Sequence, residues 1–150
     1  MKRPILLVRV PSAVCALPLS EVIETMRPLP ISPLTEVPDF VRGVALIRGI
    51  PTPVIELGAM FNDDQSPPAG RFVTIRNSGR TIALAVQSVI GVAELDPSGA
   101  TPLPPLLKNA RTDVIEAIAR LDAELLVVLQ TASLVPDSVW KSLGIFEAAL

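Results

Sequence analysis

The sequence predicts an all-β protein of about ten short strands, on the basis of two observations. Short apolar runs recur along the chain, and proline, glycine and other turn residues separate them. The chain also holds 16 prolines in 150 residues, which leaves few stretches long enough for a helix. Short strands at this spacing are typical of sandwiches and small barrels.

The first elements are a hairpin and a short helix. Ile5–Val10 and Ala13–Leu17 are apolar and flank Pro11-Ser12, which predicts two strands joined by a tight turn. Ser20–Met26 follows, with a serine at a capping position and acidic residues in the first turn, which predicts a short helix. Prolines recur from residue 28 to residue 38 and predict an extended loop.

The next stretch reads as two apolar strands, Val44–Ile47 and Thr52–Leu57, with a turn at residues 48–51. Arg48 is the only charged residue between Arg42 and Glu56. It is either an exposed hairpin arginine or one that is paired with a carboxylate, since an arginine in apolar surroundings is seldom buried without a partner.

The second half begins after a linker at residues 62–70 and predicts another hairpin, with strands Arg71–Ile75 and Thr81–Val86. Ser88–Leu95 continues as a strand in which Gly91 predicts a bulge or bend. The segment at residues 96–99 reads as a turn. Pro102–Leu107 is read as a rigid connector rather than as a polyproline ligand.

The chain is expected to end with a hairpin and a helix. Val114–Leu121 and Leu125–Gln130 predict the last two strands. Pro136 predicts the start of a helix, on which four apolar residues at helical spacing form a stripe that is expected to pack on the body of the protein. The stripe consists of Val139, Leu143, Phe146 and Leu150.

Composition excludes several classes of partner. Thirteen basic and fifteen acidic residues give a net charge of −2 and form no runs, so neither nucleic acid nor an anionic membrane surface is an expected partner. The apolar runs are too short for a signal peptide or a membrane span. Cys15, the single cysteine, lies in an apolar strand and is expected to pack as a small hydrophobe in a reducing cytoplasm.

Residues for catalysis or metal binding are scarce. The chain has no histidine and no glycine-rich phosphate loop. Two acidic pairs, Glu21 with Glu24 and Asp63 with Asp64, could form carboxylate dyads or metal sites, but capping and solvated-loop roles are favoured because neither pair has a second cluster around it. The sequence therefore predicts no catalytic residue, no metal site and no cofactor, and indicates a protein that binds other proteins.

The stretch around Arg48 resembles the signature of CheW-like domains, the coupling fold of bacterial chemotaxis. Gly43–Gly49 and Pro53–Leu57 follow the family pattern GVxNLRGxxxPVxDL, with two departures: Leu46 replaces the asparagine and Glu56 replaces the aspartate. Weaker similarity is found in three other segments, and the resemblance covers roughly residues 3 to 135. These segments are Ala16–Glu24, Pro38–Gly43 and Ile118–Asp122 followed by Leu125–Leu129.

The resemblance implies two packed, five-stranded SH3-like barrels in a single domain that covers residues 1–150. Barrel 1 is expected at about residues 1–62, barrel 2 at about residues 70–135, and a C-terminal helix at 136–148. It also implies the short helix after the second strand.

The function implied by the resemblance is that of a non-catalytic adaptor in the cytoplasm. Such an adaptor couples the cytoplasmic helical tip of a chemoreceptor to the regulatory domain of a CheA-like histidine kinase, and self-association is a further expected contact. Two alternatives remain open: a degenerate CheW-like module that serves another signalling complex, and an enzyme.

The resemblance also implies which residues bind the receptor. Val22 and Thr25 match positions that line the family's receptor groove, and Glu24, Arg48 and Gly49 match the charge pair and the turn beside it. On this basis Glu24, rather than Glu56, is expected to pair with Arg48.

With Glu56, five positions depart from the family pattern. Thr25 stands where an aliphatic residue is usual, and Leu46, Gln87 and Gln130 replace an asparagine or a carboxylate. These departures indicate a divergent member whose partner could be a different receptor class or a pathway other than flagellar motility.

Overall fold

The computed structural model describes residues 3–61, 69–77, 79–95, 115–121, 124–129 and 135–141. In these ranges the protein has ten strands, two short 3-10 turns at Leu19–Glu21 and Gly58–Phe61, and a helix at 137–141. The strands are β1 (Arg3–Val10), β2 (Ala13–Pro18), β3 (Val22–Met26), β4 (Val41–Ile47), β5 (Ile50–Glu56), β6 (Arg71–Asn77), β7 (Arg80–Val86), β8 (Ser88–Leu95), β9 (Ile115–Leu121) and β10 (Glu124–Leu129). The all-β prediction is confirmed.

The strands form two five-stranded sheets with the same pattern of pairing. Sheet A has the order β8-β1-β2-β10-β9, and sheet B has the order β3-β6-β7-β5-β4. In each sheet the successive pairs are antiparallel, antiparallel, parallel and antiparallel. This repetition confirms the expected fold of two SH3-like barrels.

The expected division of the chain into the two barrels needs correction. Barrel 1 was placed at about residues 1–62 and barrel 2 at about 70–135, but β1 and β2 pair with strands from the C-terminal half, while β3, β4 and β5 pair with β6 and β7. Sheet B, which contains β3 to β7, is therefore inserted in the sequence between the two parts of sheet A. Apolar runs and turn residues report where strands begin and end, whereas the choice of distant partners depends on tertiary packing.

The expected short helix at Ser20–Met26 is also wrong, because only the 3-10 turn at Leu19–Glu21 is helical and residues 22–26 form β3. No side chain caps that turn. Val22, Ile23 and Thr25 are β-branched, which favours a strand over a helix. Burial alternates along β3, and the strand pairs with β6, so tertiary pairing overrides the acidic first-turn signal.

Among the described residues the core consists of three apolar layers, and the largest is shared by both sheets. We call it the inter-sheet core: Leu6, Val8 and Val10 of β1 meet Ile82, Leu84 and Val86 of β7 within it, together with Cys15, Val73 and Ile75. Ile5 and Leu7 lie in a second layer that belongs to sheet A. Ala83, Ala85 and Phe72 lie in a third layer that belongs to sheet B. The central strands are therefore buried on both faces, and Cys15 packs as the small hydrophobe that was expected.

The turn between β4 and β5 is shorter than predicted. It consists of Arg48 and Gly49 alone, with φ of 52° and 78°, the left-handed values that a two-residue type I′ turn requires. The following residues, Ile50 and Pro51, already belong to β5. A proline is tolerated there because β5 pairs with β7 only at residues 54–56.

The segment after β3 closes sheet B against β4. Ser32 and Val44 exchange two backbone hydrogen bonds, each of 2.8 Å. Gly43 permits this approach, since a Cβ at this position would overlap the Ser32 carbonyl oxygen, and its φ of 143° is rare for any other residue.

The remaining predicted hairpins are confirmed. β1 pairs with β2, β6 with β7 and β9 with β10, all antiparallel. The bulge predicted at Gly91 is present, because β1 pairing passes from Gly91 to Val89 and skips Ile90.

The C-terminal helix begins at residue 137, one residue after the predicted start at 136, and packs on the inter-sheet core. Val139 is fully buried in that core, and Trp140 packs against it with the Arg80 guanidinium 4.8 Å from the indole centroid. The other residues of the predicted stripe, like the predicted turn at 96–99, the connector at 102–107 and the acidic pair Asp63 and Asp64, lie outside the described residues.

Replacement of Gly43 by alanine is expected to lower the free energy of unfolding more than replacement of Gly91. Both glycines have a positive φ, of 143° and 151°, but a Cβ at Gly91 meets nothing within 4 Å. Gly91→Ala should therefore show backbone strain of about 1–3 kcal/mol. Gly43→Ala should add about 1–3 kcal/mol, the cost of the two Ser32 hydrogen bonds. Equal losses in urea unfolding would show that the Ser32 bridge contributes nothing.

Truncation of Val139 tests whether the helix packs internally. Val139→Ala removes two buried methyl groups and is expected to lower the free energy of unfolding by about 2 kcal/mol. Lys141→Ala, on the exposed side of the same helix, is the control and should change it by less than about 0.5 kcal/mol. Equal melting temperatures for wild type and Val139→Ala would mean that the helix adds no stability to the core.

Candidate functional site

The arginine at the tip of the β4–β5 hairpin forms an ion pair with β3. Arg48 Nε donates to Glu24 Oε2 at 3.0 Å, and Arg48 Nη2 donates to Glu24 Oε1 at 3.0 Å. This two-point contact confirms Glu24, and not Glu56, as the partner of Arg48. Both residues were predicted site residues, and Gly49 completes the turn that presents the arginine.

The ion pair joins the two edges of sheet B. β3 and β4 stand at opposite ends of the strand order, so Glu24 and the β4–β5 turn would be far apart in a flat sheet. Curvature brings the edges together, and the Ser32–Val44 bridge fixes them at a second point. Within the sheet, the Thr74 hydroxyl of β6 donates to the Glu24 carbonyl oxygen at 3.3 Å and ties β3 to its neighbouring strand. The guanidinium is consequently held in one position although its side chain is 75% exposed.

The pairing changes the acidity of both groups. Hydrogen bonds from Arg48 lower the pKa of Glu24 below its ordinary value of 4.5, and the Glu24 carboxylate raises the pKa of Arg48 above its ordinary value. Both groups therefore remain charged at neutral pH. The site presents a fixed ion pair rather than a group that can exchange a proton.

A second ion pair lies farther along the same hairpin. Arg42 Nε is 3.5 Å from Glu56 Oε2, and the Glu56 side chain is only 10% exposed. Burial raises the pKa of Glu56 above its ordinary value of 4.5, and Arg42 partly offsets this effect. The sequence reading did not assign this pair. Arg42 is the nearest basic residue before Arg48 in the sequence. Because it lies on the strand opposite Glu56, its position was the signal from which the Arg42–Glu56 pair could have been predicted.

The other two predicted site residues lie on β3. Val22 is half-buried against the inter-sheet core and pairs with Ile75, whereas Thr25 is exposed and pairs with Val73. A bulge between Val22 and Glu24 shifts the alternation of the strand, so Val22 and Thr25 both lie on the face of the inter-sheet core. Val22 thus contributes to the core and is also partly exposed at the surface.

The positions that depart from the family pattern lie at different places in the fold. Leu46 is 67% exposed on β4, two residues before Arg48. Gln87 is exposed at the bend between β7 and β8, where its backbone N–H donates to the Arg9 carbonyl oxygen at 2.9 Å. Gln130 lies outside the described residues.

Within the described ranges, no group of three or more cysteine, aspartate and glutamate side chains is arranged to hold a metal ion. In the same ranges no helix combines the length and apolar character needed to cross a bilayer.

Two SH3-like barrels joined by a shared apolar layer, with an exposed ion pair at the edge of one barrel, define the class of fold to which this chain belongs. A family comparison agrees with this class. The model of the CheW-like domain matches residues 4–139, and the chain therefore belongs to the CheW-like domain family, whose members are non-catalytic scaffolds.

Comparison with solved structures shows the same fold. The crystal structure of the scaffolding protein TtCheW from Thermoanaerobacter tengcongensis is similar, with a TM-score of 0.76 and 24% sequence identity. The similarity covers 87% of this chain and 86% of that one. No curated protein sequence matches the chain significantly.

The raised pKa of Glu56 predicts a specific dependence of stability on pH. The unfolded chain ionises this carboxyl near its ordinary value of 4.5, whereas the folded chain ionises it at higher pH. The free energy of unfolding contributed by Glu56 should therefore fall as the pH rises from 4.5 through the raised pKa. Glu56→Gln is expected to remove this decline in urea unfolding measured from pH 4 to pH 8.

Glu24→Gln is the matched control for this measurement. Because the folded pKa of Glu24 is lowered, its contribution is present above 4.5 and is lost as the pH falls through the lowered value. The effect of Glu24→Gln on the free energy of unfolding should therefore appear below pH 4.5, outside the pH range in which Glu56 acts. A Glu56→Gln protein that retains the decline of the wild type above 4.5 would show that Glu56 is not its source.

Proposed function

We propose that this chain is an adaptor of chemotaxis-type signalling that couples the cytoplasmic helical tip of a chemoreceptor to the regulatory domain of a CheA-like histidine kinase. In this proposal residues 1–150 act as one domain in the cytoplasm. The observation that carries it is the Glu24–Arg48 ion pair, which holds an exposed guanidinium at the edge where the sheet closes. Membership in the CheW-like family supports the scaffold role.

The proposed receptor surface starts from β3 and the β4–β5 turn. Val22 and Thr25 lie on the face of the inter-sheet core, and Arg48 and Gly49 lie at the adjoining turn. A helix that docks on such a surface needs apolar contacts and a fixed polar rim that sets its orientation. Val22 provides the apolar contact, and Arg48 provides the fixed polar group at the rim.

The kinase is the second partner in the proposal. Its regulatory domain is expected to contact the ends of the barrels, away from the receptor surface. Self-association of the chain through the same ends is a further expected contact. Both expectations rest on the resemblance to CheW-like domains, whose barrels are similar to those of the kinase.

A second candidate function is that of a degenerate CheW-like module in another signalling complex. The exposed Leu46 and Thr25 favour it, because both are departures from the family pattern at the proposed receptor surface. Affinity purification from cell extract separates the two functions. A receptor and a kinase recovered together support coupling, whereas another set of partners supports the second function.

A double-mutant cycle tests the ion pair in receptor binding. Glu24→Ala and Arg48→Ala are each expected to weaken binding of a soluble chemoreceptor tip fragment by about tenfold, as measured by isothermal titration calorimetry. The double variant should lose little more than either single variant, because each single change already releases the partner from its fixed position.

The Arg42–Glu56 pair provides the matched control cycle, since it lies on the same hairpin but away from the turn. Its members should show little effect on receptor binding. Additive losses for Glu24 and Arg48, or a stronger coupling of Arg48 to Glu56, would contradict the role assigned to the Glu24–Arg48 pair.

A further inference from the structure

The outer face of the β4–β5 hairpin carries four apolar residues in two directly opposed pairs. Val44 faces Pro53, and Leu46 faces Pro51. We call these four residues the apolar stripe. Val44 directs both its backbone N–H and its carbonyl oxygen to Ser32, away from β5, so the Val44–Pro53 pair is a non-hydrogen-bonded pair, and by alternation the Leu46–Pro51 pair is another. Side chains in such pairs lie especially close together, which makes the stripe continuous.

The stripe runs from the interior of the protein to its surface. Pro53 is buried, and Val44 packs against the inter-sheet core. Leu46, at the other end, is 67% exposed, and Pro51 is partly exposed. Leu46 is therefore the accessible end of an apolar layer and differs from an isolated surface leucine, which would need no explanation.

The stripe adjoins the proposed receptor surface. Val22 on β3 and Val44 on β4 both pack against the inter-sheet core, and Leu46 precedes Arg48 by two residues on the same hairpin. A partner helix that reaches Val22 and Arg48 would therefore also cover Leu46.

The charges around the stripe restrict what such a helix can place there. Between Arg42 and Arg48 no residue of β4 is charged, and none is charged from Ile50 to Ile55 on β5. The nearest charge on the hairpin, Arg48, already forms two hydrogen bonds with Glu24, so a charged side chain of the partner that lay against Leu46 would lose its water for little gain in charge pairing. An aliphatic side chain loses nothing by this contact and buries apolar surface.

We infer that Leu46 is a specificity-determining residue that selects a chemoreceptor helix with an aliphatic side chain facing the exposed end of the apolar stripe. The inference rests on the proposed receptor-coupling function and adds the chemistry of the partner at one position. Leu46 contributes the contact area, Pro51 lies directly opposite it on β5, and Val44 precedes it by two residues on β4.

The test compares two exposed residues on opposite faces of the same hairpin. Leu46→Asn keeps nearly the same shape but replaces the apolar end with an amide. Ile50→Asn is the matched control, because Ile50 is 58% exposed but pairs with Ile47, which faces the layer of sheet B instead of the stripe. Both variants should fold normally, as judged by circular dichroism and melting temperature.

Binding of each variant to a soluble chemoreceptor tip fragment encoded in the same genome is measured by calorimetry. Leu46→Asn is expected to bind about tenfold more weakly, and Ile50→Asn and Leu46→Met should bind like the wild type. Wild-type affinity for Leu46→Asn, or equal losses for Leu46→Asn and Ile50→Asn, would overturn the inference. If Arg48→Ala still weakens binding in that case, the proposed function stands without it. A wild-type chain that binds no receptor fragment would overturn both.

Discussion

The fold depends on a single constraint, which is that the central strands must be apolar on both faces. β1 and β7 each send alternate side chains into the inter-sheet core and the others into the layer of their own sheet. In β7 the two sets differ in size, with Ile82, Leu84 and Val86 between the sheets and the smaller Ala83 and Ala85 inside sheet B. On β7, therefore, the larger residues face the shared layer, and the smaller ones lie inside sheet B in the same layer as Phe72.

This double burial determines how much of the fold the sequence could predict. Strands and turns are local features, so the hairpins at Pro11-Ser12 and Arg48-Gly49 and the bulge at Gly91 followed from residue types alone. The interleaving of the sheets did not, because a strand that is apolar on both faces carries no sign of which sheet it will join. Ser20–Met26 was misread for a related reason: its cap and acidic residues favour a helix locally, and only pairing with β6 reveals the strand.

The candidate site was predictable to a smaller extent. Arg48 stands out as a charge in an apolar stretch, but its partner Glu24 lies 24 residues earlier, and only the resemblance to CheW-like domains pointed to it. The Ser32–Val44 bridge had a local signal in Gly43, since a glycine inside a strand often marks a close approach of another backbone. The exposure of Leu46 had no local signal in the sequence, because an apolar residue in a strand is expected to face a core unless the register is known.

The strand order of sheet A, which combines the first two strands with the last three, affects how the protein folds during synthesis on the ribosome. β1 and β2 leave the exit tunnel first, yet their sheet partners β8, β9 and β10 are synthesised last. The apolar faces of the first hairpin are covered only after most of the chain has been made, and contacts of such large sequence separation form slowly. Sheet B can form once β7 has left the ribosome. Its apolar surface is then available for the β1–β2 hairpin to pack against. The order of synthesis therefore allows β3 to β7 to fold before β1 and β2 pair with β8 and β10.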